Sequence, residues 1–443
     1  MVSYPIDSGF SQNQLRNRNF ALFSAFRGLE KLAWVVILLF YSGAILGLTQ
    51  ISEADLANPD GAFARLLWYF TYVVILFLTV LRLPYVLRIV AFNPVLIICV
   101  FWCCLSYLWS VQPDITFRRS IALLMTTLAG LSFAARYDWA KMVQITAFTM
   151  LLLCFMAILV VLLMPARGIM HEIHAGAWRG PWVEKNQMGG VLAKGVAAAL
   201  CAFAMSPKKS WLWIPTFLMC FLMVLLSTSK TSLLVALSVT GIFIALRIYR
   251  RFFFLRFPVM FLVLIIVSSI SIGLTFFPAE LLGLIGKDPT LTGRTDIWTA
   301  LGEAISKRPY FGYGYGVFWF DPLGPSYQIT SLLEWKVPTA HNGWIDSWLS
   351  GGAVLIGLFS ILLFGTLILA IRRIGRGGVE CYWVILSTFT FIFFSMSESS
   401  ILQQNDIAWF LFVATSSKLW AGEKPWWRPG SVPYDARLKV VRK

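Results

Sequence analysis

The sequence predicts an all-α, polytopic membrane protein with about twelve transmembrane helices, and three observations carry that prediction. Hydrophobic residues make up 58% of the chain and charged residues 13%, where soluble domains run to about a quarter charged. Apolar runs of about twenty residues, enough to cross the hydrocarbon core as a helix, recur from end to end. Lys and Arg alternate between rich and poor loops, the asymmetry that orients membrane helices.

Residues 1–31 are polar and place Arg16, Arg18, Arg27 and Lys31 ahead of the first apolar run. No signal peptide is expected, and the first span is expected to be retained. Spans fall near 32–49, 64–81, 89–108, 118–135, 143–164, 187–205, 211–228, 231–247, 257–277, 342–371, 381–397 and 401–418. They form one integral membrane domain over 1–443, with a single large loop at 278–341 between spans 9 and 10. With a cytoplasmic amino terminus, the inner loops hold Arg82 and Arg88, Arg136 and Lys141, and Lys208 and Lys209. They also hold Arg247, Arg250, Arg251 and Arg256, then Arg372, Arg373 and Arg376. Most acidic residues then fall outside or within spans, and both termini are cytoplasmic.

The net charge of +16 follows from this topology and from attraction to anionic head groups, so membrane lipids, and not nucleic acid, are expected partners. Cys99, Cys103, Cys104, Cys154, Cys201, Cys220 and Cys381 all lie within spans, which argues against a disulfide framework.

The outer loops carry cations that topology does not explain: Arg118 and Arg119; Arg167, Arg179 and Lys185; Lys230; and Lys287, Arg294, Lys307, Arg308 and Lys336. Any one of them can be a snorkelling or solvated side chain. Several converging on one site would suit a phosphate or pyrophosphate, which arginine grips through two parallel hydrogen bonds and lysine as a point charge. Lys194 lies inside span 6, half a turn out of phase with Lys185. It snorkels, meets an internal partner or serves a substrate.

In the 278–341 loop, Thr295 can cap a helix with Asp296 in its first turn. Ile297, Leu301, Ala304 and Ile305 form an apolar stripe at helical spacing, and Pro309 ends it. That predicts an amphipathic helix on the outer membrane surface, with Arg294 just before its start. Residues 310–320 then alternate glycine with aromatics, Tyr313, Tyr315 and Trp319 among them. The pattern suits sugar stacking or an interfacial aromatic belt equally. No Gly-Lys-Ser/Thr follows, so it is not a phosphate-cradling loop.

His341 opens span 10, with Asn342 and Asp346 one turn apart behind it and Gly351-Gly352 permitting close helix approach. An imidazole at the outer face, titrating near neutrality, suits the removal of a proton from a hydroxyl. His171 and His174 are three apart, but two imidazoles do not complete a ligand set, so no metal and no cofactor are expected.

Taken together, these residues resemble the O-antigen ligase and Wzy-type polysaccharide polymerase superfamily over most of the chain. His341-Asn342, nine residues and Gly352 match its marker of His, a small polar residue, a nine-residue spacer and Gly. Gly293, Arg294 and Trp298 match its Gly-Arg-x-x-x-Trp element. The segment from Glu184 to Gly190 opening a span is also similar, as is a basic residue after Ser227-Thr228-Ser229. That residue is Lys230, where the family more often has arginine. The 312–319 tract is most similar to exopolysaccharide polymerases.

The resemblance implies a membrane glycosyltransferase of GT-C-like helical architecture, inverting and metal-independent, with its active site at the periplasmic face of the bacterial inner membrane. It implies a donor oligosaccharide carried on undecaprenyl pyrophosphate. Arg294, Lys185, Lys230 and Arg179 would meet the pyrophosphate, and His341 would act as base or position the acceptor hydroxyl. Asn342, Tyr313, Tyr315 and Trp319 would contact the acceptor or a sugar. Polysaccharide export and chain-length proteins would be partners. Polymerisation of lipid-linked repeat units into exopolysaccharide is the leading expectation, and transfer of finished glycan to lipid A core is the alternative. A transporter of the lipid-linked sugar would instead show broken helices, cations along a central cavity and related halves.

Overall fold

The structure, a computed structural model, describes residues 12–49, 61–171, 174–252, 258, 294–321, 324–333, 339–376 and 378–422. The span expected at 257–277 (apart from residue 258), the loop as far as residue 293, and the tail from 423 lie outside the described residues. The first seven helices are α1 Gln12–Tyr41, α2 Ala44–Thr49, α3 Ala62–Val80, α4 Leu83–Phe92, α5 Pro94–Leu105, α6 Pro113–Arg136 and α7 Trp139–Leu163. Then come α8 Lys185–Met205, α9 Ser210–Leu226, α10 Lys230–Arg251 and α11 Arg294–Lys307. The last four are α12 Pro325–Leu333, α13 Gly343–Arg376, α14 Cys381–Ser395 and α15 Ile407–Ala421. No strand occurs among the described residues.

Within the described residues, six helices are long and apolar enough to cross a membrane, or seven if the bent pair α4–α5 is one span. The chain is thus a polytopic helical membrane protein. α14 and α15 are shorter apolar helices.

Three expected spans are interrupted. The helix expected at 32–49 begins at Gln12, ends at Tyr41 and resumes as α2 after Gly43, whose φ is 76°. The span expected at 89–108 turns by 94° at Asn93-Pro94. Pro94 supplies no amide donor and disfavours helical geometry at Asn93, and the Asn93 side chain then caps α5 by accepting from Leu96 N at 3.3 Å. The third break lies in α13, at Gly352, with φ 67° and ψ −168°.

The bundle closes around α8, which packs on α7, α9, α10 and α14. Its glycines and alanines allow this. A Cβ at Gly189 would meet Ser232 Oγ at 2.7 Å and Ser227 Oγ at 2.8 Å, and one at Gly195 would meet Cys220 Sγ at 2.7 Å. Without a hydrophobic drive between helices in lipid, such close approach is what holds them together.

Helix ends sort into two sets. At one end, buried Glu30 pairs with Arg136 at 2.7 Å and Arg82 at 3.6 Å. Lys418 closes the same end by donating to the carbonyls of Tyr137 at 2.7 Å and Ala134 at 3.3 Å. At the opposite end, α8, α10 and α13 begin and α9 and α14 finish. The candidate site lies there.

Candidate active site

A basic rim forms where the 164–184 loop meets the turn between α9 and α10. Trp178 N donates to Leu226 O at 2.9 Å, and Arg179 N and Gly180 N both donate to Gly168 O. Trp182 Nε1 reaches Ser42 O at 2.7 Å, so the gap between α1 and α2 anchors this loop. In the facing turn, Ser227 Oγ donates to Val224 O at 2.7 Å and accepts from Ser229 N at 3.3 Å, while Thr228 takes a φ of 50°. These bonds hold the loop and the turn against each other.

Lys185, the first residue of α8, donates to Thr228 Oγ1 at 3.2 Å and lies within electrostatic reach of exposed Lys230. The turn therefore brings Lys185 and Lys230 together. Arg179 is partly committed to the loop itself, with Nε donating to Arg167 O at 2.6 Å and a terminal nitrogen donating to Val183 O at 3.3 Å. Burial, then the Arg179 guanidinium beside it, lowers Arg167 below the usual arginine range. Two neighbouring guanidiniums repel each other and draw an anion.

Arg294 is the first residue of α11 and not the residue before it; its guanidinium lies outside the described side chains. One turn on, Trp298 Nε1 donates to Ala340 O at 2.9 Å. Trp298, the last residue of the Gly-Arg-x-x-x-Trp element, is thereby pinned to the residue preceding His341. Ile297, Leu301 and Ala304 are buried as the stripe predicted, but against Tyr313, Phe318, Ile329, Ala340 and Leu349. The helix therefore packs on this small protein core and does not lie with its stripe in the membrane surface.

His341 has a φ of 48°, a left-handed conformation that non-glycine residues adopt chiefly at turns and strained sites. Its Nδ1 is buried without a hydrogen-bond partner and lies 3.9 Å from Glu398 Oε2, in the turn after α14. Lys194, an open question in sequence, has an internal environment: Nζ donates to Gly190 O at 3.1 Å and sits 4.3 Å over the Phe394 ring. Asp406 and Glu398 act on it electrostatically.

The aromatic–glycine tract has a structural task. At the break in α13, Ala353 N donates to Pro309 O at 2.8 Å, and Tyr313 N and Gly314 N donate to Leu349 O and Ser350 O. Trp102, Trp109 and Trp348 each donate an indole N–H to this junction, to Gly351 O, Phe311 O and Pro309 O, at 2.9 Å. The tract thus satisfies the backbone that Gly352 leaves open. Positive φ and the overlap of any Cβ with the Tyr310 carbonyl explain why glycine stands there.

Tyr313 and Tyr315 are 5% and 4% exposed, and their hydroxyls donate to Ala304 O at 2.8 Å and Leu402 O at 2.6 Å. Burial pushes both phenols up, Tyr315 well above its usual range, so each stays a neutral donor. Trp319 Nε1 donates to Asp346 Oδ1 at 2.8 Å, and Asn342 Oδ1 caps α13 by accepting from Trp344 N and Ile345 N. In this arrangement the rings and hydroxyls of the two tyrosines are taken up by the protein. Arg119 is likewise turned inward, donating to Gly316 O at 2.9 Å and stacking 4.1 Å over Phe320.

Sequence reasoning passed over Glu398. An acidic residue in an outer turn is what topology leads one to expect, so nothing local marked it.

A family model described as O-Antigen ligase matches residues 214–362, a stretch that holds Lys230, Arg294, His341 and Gly352. The chain is also 24% identical over 332 residues to the exopolysaccharide production protein ExoQ of Rhizobium meliloti (strain 1021), covering 71% of this chain and 74% of that protein.

Proposed function

We propose, from the premise that the chain belongs to the O-antigen ligase and Wzy-type polymerase superfamily, that it polymerises undecaprenyl-pyrophosphate-linked oligosaccharide repeats into exopolysaccharide at the periplasmic membrane face. The acceptor hydroxyl attacks the anomeric carbon of the donor from the face opposite the pyrophosphate. A carbon–oxygen bond to the acceptor forms as the bond to the pyrophosphate breaks. The electron pair leaves with undecaprenyl pyrophosphate, and the anomeric configuration inverts. The hydroxyl proton passes to Nε2 of His341.

Lys185, Lys230 and Arg294 offset the charge growing on the leaving pyrophosphate, and Arg179 adds its charge while fixing the loop. Fixed positive charge of this kind costs no reorganisation at the moment of reaction, and losing one such contact costs about a hundredfold or more in rate. The observation that most supports this reading is the bond from Trp298 Nε1 to Ala340 O, which ties the helix begun by Arg294 to the base.

The broken helices do not favour a transporter. Trp182 Nε1 bonds Ser42 O beside the first break, Asn93 caps the helix after the second with its own side chain, and residues 309–314 bond across the third, so protein groups satisfy all three. The exopolysaccharide relative weighs toward polymer growth. The family model's description keeps transfer to lipid A core as the second reading, with the same donor chemistry.

The test is a deletion strain carrying either wild-type protein or His341→Ala, with secreted polysaccharide and lipopolysaccharide both analysed. The expected result is loss of long polymer with His341→Ala present in the membrane at wild-type level. Long lipid-linked polymer accumulating untransferred would mark the ligase instead, and unchanged polymer would remove His341 from the chemistry.

A further inference from the structure

The turn after α14 brings a carboxylate to the one buried ring nitrogen of His341. Nδ1 has no hydrogen-bond partner, and Glu398 Oε2 stands 3.9 Å from it. A buried ring nitrogen left unpaired is costly, and 3.9 Å is beyond hydrogen-bond length. Catalytic hydrogen bonds are often long without substrate and tighten in the complex. The imidazole and the carboxylate are 30% and 42% exposed, so the pair opens to the side from which an acceptor would come.

Neither partner is free to drift, because one buried carboxylate clamps both. Ala340 N, just before His341, donates to both oxygens of Asp346 at 3.3 Å. Ser399 Oγ, just after Glu398, donates to Asp346 Oδ2, and Trp319 Nε1 donates to Oδ1. Glu398 N donates to Phe394 O at 2.7 Å, which seats the turn on the end of α14.

Among the described residues, the charged groups facing this pair come from three elements. Asp346 on α13 acts on His341, while Lys194 on α8 acts on Glu398 and on Asp406 at the start of α15.

We infer that Glu398 is a positioning residue for His341: it accepts the Nδ1 proton, leaves Nε2 as the lone-pair nitrogen toward the acceptor hydroxyl, and stabilises the imidazolium formed when that proton arrives. The inference rests on His341 being the base in the reaction proposed above. It assigns Asp346 the separate task of holding both partners in register.

The experiment uses full-length protein in lipid nanodiscs with a lipid-linked repeat unit as substrate, comparing wild type, Glu398→Gln, Glu398→Asp and His341→Ala. Glu398→Gln is expected to lower kcat about tenfold or more with the donor KM unchanged. Glu398→Asp, which keeps the carboxylate, should recover part of that kcat, a rescue that a merely structural role would not give. Equal kcat in wild type and Glu398→Gln would overturn the inference, as would a kcat loss that Glu398→Asp does not relieve or one matched by a rise in donor KM. If His341→Ala keeps the wild-type rate, the base itself is wrongly assigned, an outcome distinct from failure at Glu398 alone.

Discussion

Residues 309–320 and the rim built from 164–185 with 227–230 are both irregular segments among the helix ends, and both are densely hydrogen-bonded. They differ in what they present. In the aromatic–glycine tract Tyr313, Tyr315 and Trp319 are bonded to Ala304 O, Leu402 O and Asp346, while Tyr310, Phe311 and Phe320 stay exposed. In the rim, serines and backbone amides do most of the holding, and buried Lys185, bonded to Thr228, lies within electrostatic reach of exposed Lys230. Tyr313, Tyr315 and Trp319 here build the site, and the rim concentrates positive charge. Two motifs of equal prominence in sequence therefore carry different duties.

The sharpest way to break this contrast is at Gly352. Its φ of 67° and the overlap of any Cβ with the Tyr310 carbonyl leave alanine no relaxed geometry. Gly352→Ala is expected to abolish folded protein, read as loss of a monodisperse peak on size-exclusion of detergent extracts. Normal yield with reduced transfer would instead make Gly352 a substrate-side residue. Next in size is Lys230→Ala, expected to lower the transfer rate per folded molecule about a hundredfold. Lys230→Arg should match or exceed wild type, because the planar fork grips phosphate through two bonds. A wild-type rate in Lys230→Ala would move the pyrophosphate away from this rim.

How much of this was legible in sequence depends on the range of the contact. Helical class and the six helices long enough to cross a membrane follow from apolar runs, since lipid demands them locally. The bend at Asn93-Pro94 has a local cause that the span expected at 89–108 ran through: a residue before proline leaves the helical region, and asparagine caps the helix that proline opens. The apolar stripe of α11 identified the right buried residues, Ile297, Leu301 and Ala304, but a stripe does not say what covers it, and the cover is Tyr313, Phe318 and Leu349. Gly352 was visible as a motif position, and its reason was not, because that reason is a loop some forty residues upstream threading its backbone into the helix break. Glu398 had no local signature at all. Its meaning comes only from facing His341 across the start of α13.

The smallest expected effect tests the same contrast from the other side. Tyr313 is one of the tract residues expected to contact a sugar, yet it is 5% exposed and its hydroxyl is spent on Ala304 O at 2.8 Å. Tyr313→Phe deletes that one bond and is expected to cost about 1 kcal/mol of stability, since a buried hydroxyl partner is lost while the ring still packs. Burial raises the phenol, with Arg308 acting in the opposite sense, so the donor stays protonated and the loss should not vary with pH near neutrality. Tyr313→Leu removes the ring as well and should destabilise further by opening space beside Phe318, which packs edge-on at 5.2 Å. For both variants the transfer rate per folded molecule and the acceptor KM should stay at wild-type values. A raised acceptor KM in Tyr313→Leu alone, with stability unchanged, would return the tract to the substrate and reverse the division between residues that build and residues that act.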